Sequence, residues 1–412
     1  MTLEGKMRHL AFFEALGKTD ESDPSWRSLS AGLVVMRLVD EWVDLGYDTI
    51  TPDSWSVIAV REAITEIPDN TPLRRVLSAV VDAIVESPCV DVHALNPRLM
   101  AYGQSLEYEA KWTLAADVYQ TIISHADAAE DADLVASAYM QLALCFRSTR
   151  DLDAAAQAYT RASEVAFAAG DVMGVLRGRL GDAKVAAARG NMPHAESILV
   201  ETIARARDYG FSDVESRALV ERAYIAGTGG DHDRAIHYSY AALEVSPDTR
   251  DRDRILSNIA TGFRLLGLFD TARDAYLVLA ATAQEQYVRW VAEINLMELA
   301  AQQRIELQFD KYRRDLEPAD FDPFLRVMYL LHVGRGYHLL GKPAQGIPYL
   351  EQAVEAASRH RLNQLVFEAE DALAQARRRD THKHPEPTSS TEISVKSVID
   401  AVQQMKVMAG IG

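Results

Sequence analysis

The sequence predicts an all-α fold, a linear array of helix–turn–helix repeats preceded by a helical bundle. Three observations lead there. Pairs of small residues twelve positions apart recur in near-constant register over most of the chain. A turn residue, usually Gly, follows the first member of each pair by seven. Outside the array, apolar residues keep helical spacing. At 412 residues and 48% hydrophobic content the chain can bury a sizeable core.

The register is clearest around Ala223 and Ala235, with Ala242 seven further on. A slide of 40 residues gives Ala183 and Ala195, then Ala143 and Ala155, then Gly103 and Ala115. A step of 37 the other way gives Ala260 and Ala272, and a later copy has Gly334 and Gly346. A large residue (Tyr119, Tyr159, Leu199, Tyr276 or Leu350) sits one turn after the second small one. Small residues let two helix backbones approach, and the large neighbour fills the space beside that contact. The turn positions are Ala110, Arg150, Gly190, Gly230, Gly267 and Gly341, four of the six Gly, which reaches left-handed angles at little cost. The Gly-rich stretch from Gly227 to Gly230 therefore reads as a turn. No Lys-Ser or Lys-Thr follows it, so it is not a phosphate loop. A seventh copy, around Ala300 to Leu316, is degenerate, with Phe309 and Tyr312 where smaller residues are expected.

This pattern resembles the tetratricopeptide repeat over roughly residues 95–375. It departs from the family in its 40-residue spacing, against a consensus of about 34, and in the scarcity of a closing proline, Pro247 being the clear instance. The resemblance implies a right-handed α-solenoid whose first helices line a groove. The layout also resembles that of bacterial peptide-sensing regulators, in which a helical bundle precedes such an array.

Residues 1–94 lie outside the register but read as a three- or four-helix bundle that also caps the array. Trp26, Leu29, Leu33, Met36 and Val43 form one stripe; Val35, Leu38, Trp42 and Leu45 form a second, so that helix is buried on two sides. Thr51-Pro52 and Thr71-Pro72 each read as an N-cap with Pro in the first turn. Residues 95–379 form the array of about seven repeats, and 380–392 a linker in which His382 and His384 are weak metal candidates. Ser389 and Glu392 make a capping-box pattern. An amphipathic helix follows over 393–409, with Val395, Val398, Ile399, Val402, Met405 and Met408 on its apolar side. That helix can cap the array end, lie in the groove, or join a partner or a second copy.

Composition narrows the function classes. A net charge of −17 argues against nucleic-acid partners and anionic lipid. No run of about 18 apolar residues predicts a membrane span, and residues 1–20 carry no secretory pattern. Two cysteines, Cys89 and Cys145, exclude a disulfide framework and fit a reducing cytoplasm. No catalytic motif is present, so the expectation is a non-enzyme without cofactor or metal.

Chemistry concentrates on one face of the first helices. Offsets of −6, −3, +1 and +4 from the leading small residue share a helical face. At −6 stand Arg177, Arg217 and Arg254 in three consecutive copies; at +1 Lys184, Tyr224 and Arg335; at +4 Arg147 and Arg264. Met100, Met140, Leu180 and Val220 at −3 give an apolar floor. Asn258 resembles the groove asparagine with which many tetratricopeptide domains hold a ligand's backbone. These residues form a candidate peptide groove for an acidic segment or a C-terminal carboxylate, with Arg as a bidentate donor. The competing reading pairs each Arg with a nearby carboxylate such as Asp213 or Glu215, as helix solvation. The functions that follow are a cytoplasmic protein- or peptide-binding adaptor or regulatory module, or a structural subunit of a larger assembly, with self-association through the C-terminal helix as a further expectation.

Overall fold

A computed structural model describes residues 8–45, 50–86, 91–360, 362–378 and 393–411. Cys89, His382, His384, Ser389, Glu392 and the linker over 380–392 lie outside the described residues. Among the described residues there are twenty helices and no strand. The chain divides into two compact units, Met1–Ala206 and Arg207–Gly412.

The first unit opens with α1 (Leu10–Lys18), α2 (Pro24–Leu45), α3 (Trp55–Thr65) and α4 (Pro72–Val85). Helix pairs follow: α5 (Val92–Tyr108) with α6 (Trp112–His125), α7 (Ala132–Ser148) with α8 (Leu152–Ala168), and α9 (Val172–Ala188), which leads into α10 (Met192–Tyr209). The second unit continues with α11 (Ser212–Thr228) and α12 (His232–Val245), α13 (Thr249–Leu265) and α14 (Phe269–Thr282), α15 (Gln286–Gln302) and α16 (Glu306–Leu316), and α17 (Pro323–Leu339) and α18 (Pro343–Arg359). A single helix, α19 (Asn363–Arg378), and a terminal one, α20 (Lys396–Met408), complete it. Within the units first helices of several successive pairs touch, α5 with α7 and α7 with α9 in the first, α13 with α15 and α15 with α17 in the second.

One turn motif repeats in every pair. The six turn residues of the register all have positive φ: 56° at Ala110, 67° at Arg150, 80° at Gly190, 82° at Gly230, 78° at Gly267 and 76° at Gly341. Arg304, in the degenerate copy, makes a seventh at 57°. The amide after each returns to the carbonyl five residues back at 2.8–2.9 Å, for example Asp231 to Ala226 and Ile305 to Ala300. That six-to-one bond is the Schellman closure of a helix. After Gly230, Asp231 caps α12 by accepting from the Arg234 amide at 3.1 Å. The Gly-rich stretch is thus a helix end and a helix start.

The small pairs sit where two backbones meet. A Cβ on Gly346 would lie 2.5 Å from the carbonyl oxygen of Gly334, and one on Gly103 would fall 2.5 Å from the Tyr119 ring. Counting back seven from Arg304 sets the degenerate pair as Met297 and Phe309, both fully buried. The bulk is absorbed by the next pair: a Cβ on Gly336 of α17 would come within 2.2 Å of the Phe309 ring.

The two ends differ in part from expectation. Helix α2 buries Leu29, Leu33, Val35, Met36, Leu38, Val39 and Trp42, consistent with apolar stripes on two sides. Thr71 is the N-cap residue of α4 with Pro72 in its first turn, but α3 starts at Trp55 with Ser54 as its N-cap, so Thr51-Pro52 belongs to the preceding turn. Helix α20 packs on α12 and α14, second helices of two successive pairs in the middle of the second unit. Neither the array end nor the first-helix face is its seat.

Candidate functional site

Every sequence-predicted site residue falls on a first helix. In the first unit Arg147 is on α7, half-buried, and α9 carries Arg177, exposed, and Lys184, half-buried. In the second unit Arg217 and Tyr224 are on α11, Arg254, Asn258 and Arg264 on α13, and Arg335 on α17. Tyr224, Asn258, Arg217 and Arg254 are exposed.

Arg217 and Arg254 are brought together through Asp251. The Arg217 guanidinium donates to Asp213 Oδ1 at 2.8 Å within its own helix and lies 3.8 Å from Asp251 Oδ2. Arg254 lies 3.5 Å from the other Asp251 oxygen. Two cations thus face one shared carboxylate at distances beyond a good hydrogen bond. The pairing with Asp213 is the local one that the competing reading expects. Glu215 pairs elsewhere, with Arg207 Nε at 2.5 Å.

Arg264 and Arg335 converge on a group that the sequence reading missed. Glu298 on α15 is 7% exposed. His332 Nδ1 of α17 lies 2.7 Å from its Oε2, Arg264 Nη1 3.7 Å from its Oε1, and Gln302 Nε2 donates to Oε1 at 3.2 Å. Burial alone would raise the Glu298 carboxyl. His332, Arg264 and Arg335 reverse that and hold it at about 2. Arg335 also reaches Glu368 on α19 at 3.8 Å. Glu298 stands at +1 once the degenerate copy is aligned on Arg304, the offset of Lys184, Tyr224 and Arg335. The signal was present but hidden, because Met297 and Phe309 replace the two small residues that mark the register and the turn residue is Arg304 rather than Gly.

The described residues offer little for covalent or metal chemistry. The Cys145 thiol is buried, and burial beside Glu107 pushes it up to about 12, far from a reactive thiolate. No group of three or more His, Cys, Asp or Glu among the described residues is placed to hold a metal ion. No helix among them is long and apolar enough to cross a membrane.

The family model of the tetratricopeptide repeat matches residues 136–168, which span α7 and α8. No curated protein matches the chain. Among solved structures the chain is similar to the apo quorum sensor NprR of B. thuringiensis, with 13% identity over 84% of this chain and 91% of that one, at a TM-score of 0.45. It is also similar to a Rap protein complexed with competence and sporulation factor, with 11% identity over 84% and 97% and a TM-score of 0.43. A third is a signal-transduction ATPase with a tetratricopeptide repeat sensor from Pyrococcus horikoshii, 14% identical over 87% of this chain and 54% of that one, at 0.45. Likenesses at this level do not bear on function. The matched pair is a tetratricopeptide repeat, and the recurring Schellman turns and close small-residue contacts give the other pairs the same helix–turn–helix geometry.

Proposed function

We propose that the protein is a non-catalytic, cytoplasmic adaptor or regulatory module that binds a protein or peptide on the face of its first helices. The ligand it fits is an acidic segment or a C-terminal carboxylate. The carrying observation is the sharing of Asp251 by Arg217 and Arg254 at 3.8 and 3.5 Å. Both guanidiniums sit on exposed helix surface, and each has donors that a bidentate carboxylate can take at closer range. Arg264 and Arg335 extend the cationic character along the second unit, and Tyr224 and Asn258 add an exposed aromatic and an exposed amide to the same series of helices. In the first unit Arg147, Arg177 and Lys184 occupy the corresponding offsets.

The test is a pull-down from a lysate of the source organism with the full chain and with a variant carrying Arg177→Glu, Arg217→Glu and Arg254→Glu. The reading expects a specific partner that is retained by the natural chain, lost in the variant, and weakened by salt. A partner retained equally by both moves recognition off these helices and returns the arginines to helix solvation.

A further inference from the structure

We propose that a face of the second helices α12 and α14 is a docking site for an amphipathic helix with a stripe of branched aliphatic residues and a cation near its C-terminal end, and that α20 is its tethered resident. The seat is specific in both its apolar and its polar parts. Val395, Val398 and Val402, at helical spacing, are at most 1% exposed. The Asp274 carboxylate of α14, itself 4% exposed, accepts from Gln403 Nε2 at 2.6 Å and lies 2.9 Å from Lys406 Nζ in an ion pair. At the other end His237 Nε2 of α12 meets the Ser394 carbonyl at 3.0 Å, and the Ser394 hydroxyl donates to Asp233. These contacts come from one short stretch, residues 394–406. An isolated helix of this length is marginal in water, so it forms on the seat.

The repeat register supplies an independent observation. Asp274 stands two residues after the small Ala272, and His237 two after Ala235. In the first unit the same offset from Ala115 is Asp117 on α6. Asp117 also receives a terminal helix: His9, the N-cap residue of α1, is 5% exposed and places Nδ1 2.6 Å from Asp117 Oδ1. Both units thus use a carboxylate at one offset of a second helix to hold a basic side chain of a helix from the chain's end. The offset is not acidic throughout, with Gln157, Ser197, Lys311 and Pro348 in other copies, and the α12–α14 site reads a ligand's valine stripe and its terminal cation together. The reading stands apart from the proposal for the first helices.

Because α20 belongs to the same chain as its seat, its docking is intramolecular and competes with any free helix. A free helix must displace it. The experiment uses three full-length proteins: the natural chain, the α20 variant Val398→Asp/Val402→Asp, and that variant with Asp274→Lys added. The probe is a fluorescently labelled synthetic peptide of residues 393–411. We expect the α20 variant to bind the peptide at least tenfold more tightly than the natural chain, and Asp274→Lys to abolish binding. A peptide carrying Lys406→Asp should regain affinity for the Asp274→Lys protein, which separates a lost ion pair from a damaged fold. Equal binding to the natural chain and the α20 variant, or none to an α20 variant of unchanged helicity, overturns the proposal. Hydrogen exchange on the natural chain provides a second reading: α20 amides should exchange well before those of α12 and α14, and equal protection would show that α20 does not leave its seat.

Discussion

Replacing Glu298 by Gln tests the electrostatics of the second unit. The substitution keeps the shape and removes the charge. The carboxyl is held at about 2, against 4.5 unperturbed, by His332, Arg264 and Arg335. A depression of that size corresponds to roughly 3 kcal/mol of stability at neutral pH. Because the folded value lies below the unfolded one, the contribution is complete above about pH 4.5 and fades as pH falls toward 2. The natural chain should therefore exceed Glu298→Gln by roughly 3 kcal/mol at pH 7 and by only about 1 kcal/mol at pH 3. With a urea slope of about 3 kcal/mol per molar, the neutral-pH midpoint drops by about 1 M. The assay is urea unfolding followed by circular dichroism at both pH values. A variant as stable as the natural chain at pH 7, or a gap that widens on acidification, refutes the assignment of Glu298 as a carboxylate stabilised by those cations.

Further predictions follow from the turns and contacts. Gly346→Ala forces a Cβ to 2.5 Å from the Gly334 carbonyl and should cost about 1–3 kcal/mol in thermal or urea unfolding. Gly341→Ala, at φ 76° with open space around it, should cost only about 1 kcal/mol. Arg150→Gly relieves a left-handed backbone at φ 67° and should raise stability or leave it unchanged, depending on the chain entropy that Gly adds; a loss above about 1 kcal/mol would contradict the turn assignment. Burial opposes protonation of His9, but hydrogen bonds to Asp117 and Asp40 outweigh it and raise the imidazole to about 9. A raised imidazole stabilises fully below about 6.5 and loses its effect as pH climbs through 9. Exchange protection of α1, relative to α2, should fall over that interval, and His9→Ala should remove the dependence.

The turns were the most legible part of the fold, because left-handed backbone selects Gly and Gly marks the register. The signal weakened where Ala110, Arg150 and Arg304 take the same conformation at positive φ with a Cβ. Arg304 cost most: without it the copy built on Met297 and Phe309 could not be phased, and Glu298 went unnoticed at the offset of Arg335. The compensation for Phe309, Gly336 on the next pair, is a tertiary fact that no local pattern announces. Thr51-Pro52 has the chemistry of a helix start, yet the chain turns there and Ser54 takes the cap position, since several Ser and Thr residues compete for one boundary. For the C-terminal segment the apolar stripe was readable and the seat was not, because the stripe states that a helix must be covered and not by what. The cations at −6, +1 and +4 could be placed on first helices from spacing alone, whereas their convergence on Asp251 and Glu298 required the packing of neighbouring pairs.

The central claim is that a partner lies on the first helices, and hydrogen exchange of the full chain with and without the partner tests it most directly. The account predicts that binding protects α11 and α13 around Arg217 and Arg254, leaves α12 and α14 unchanged, and loses that protection in the Arg177→Glu, Arg217→Glu, Arg254→Glu variant. Protection confined to second helices, or unaffected by the three charge reversals, would contradict it.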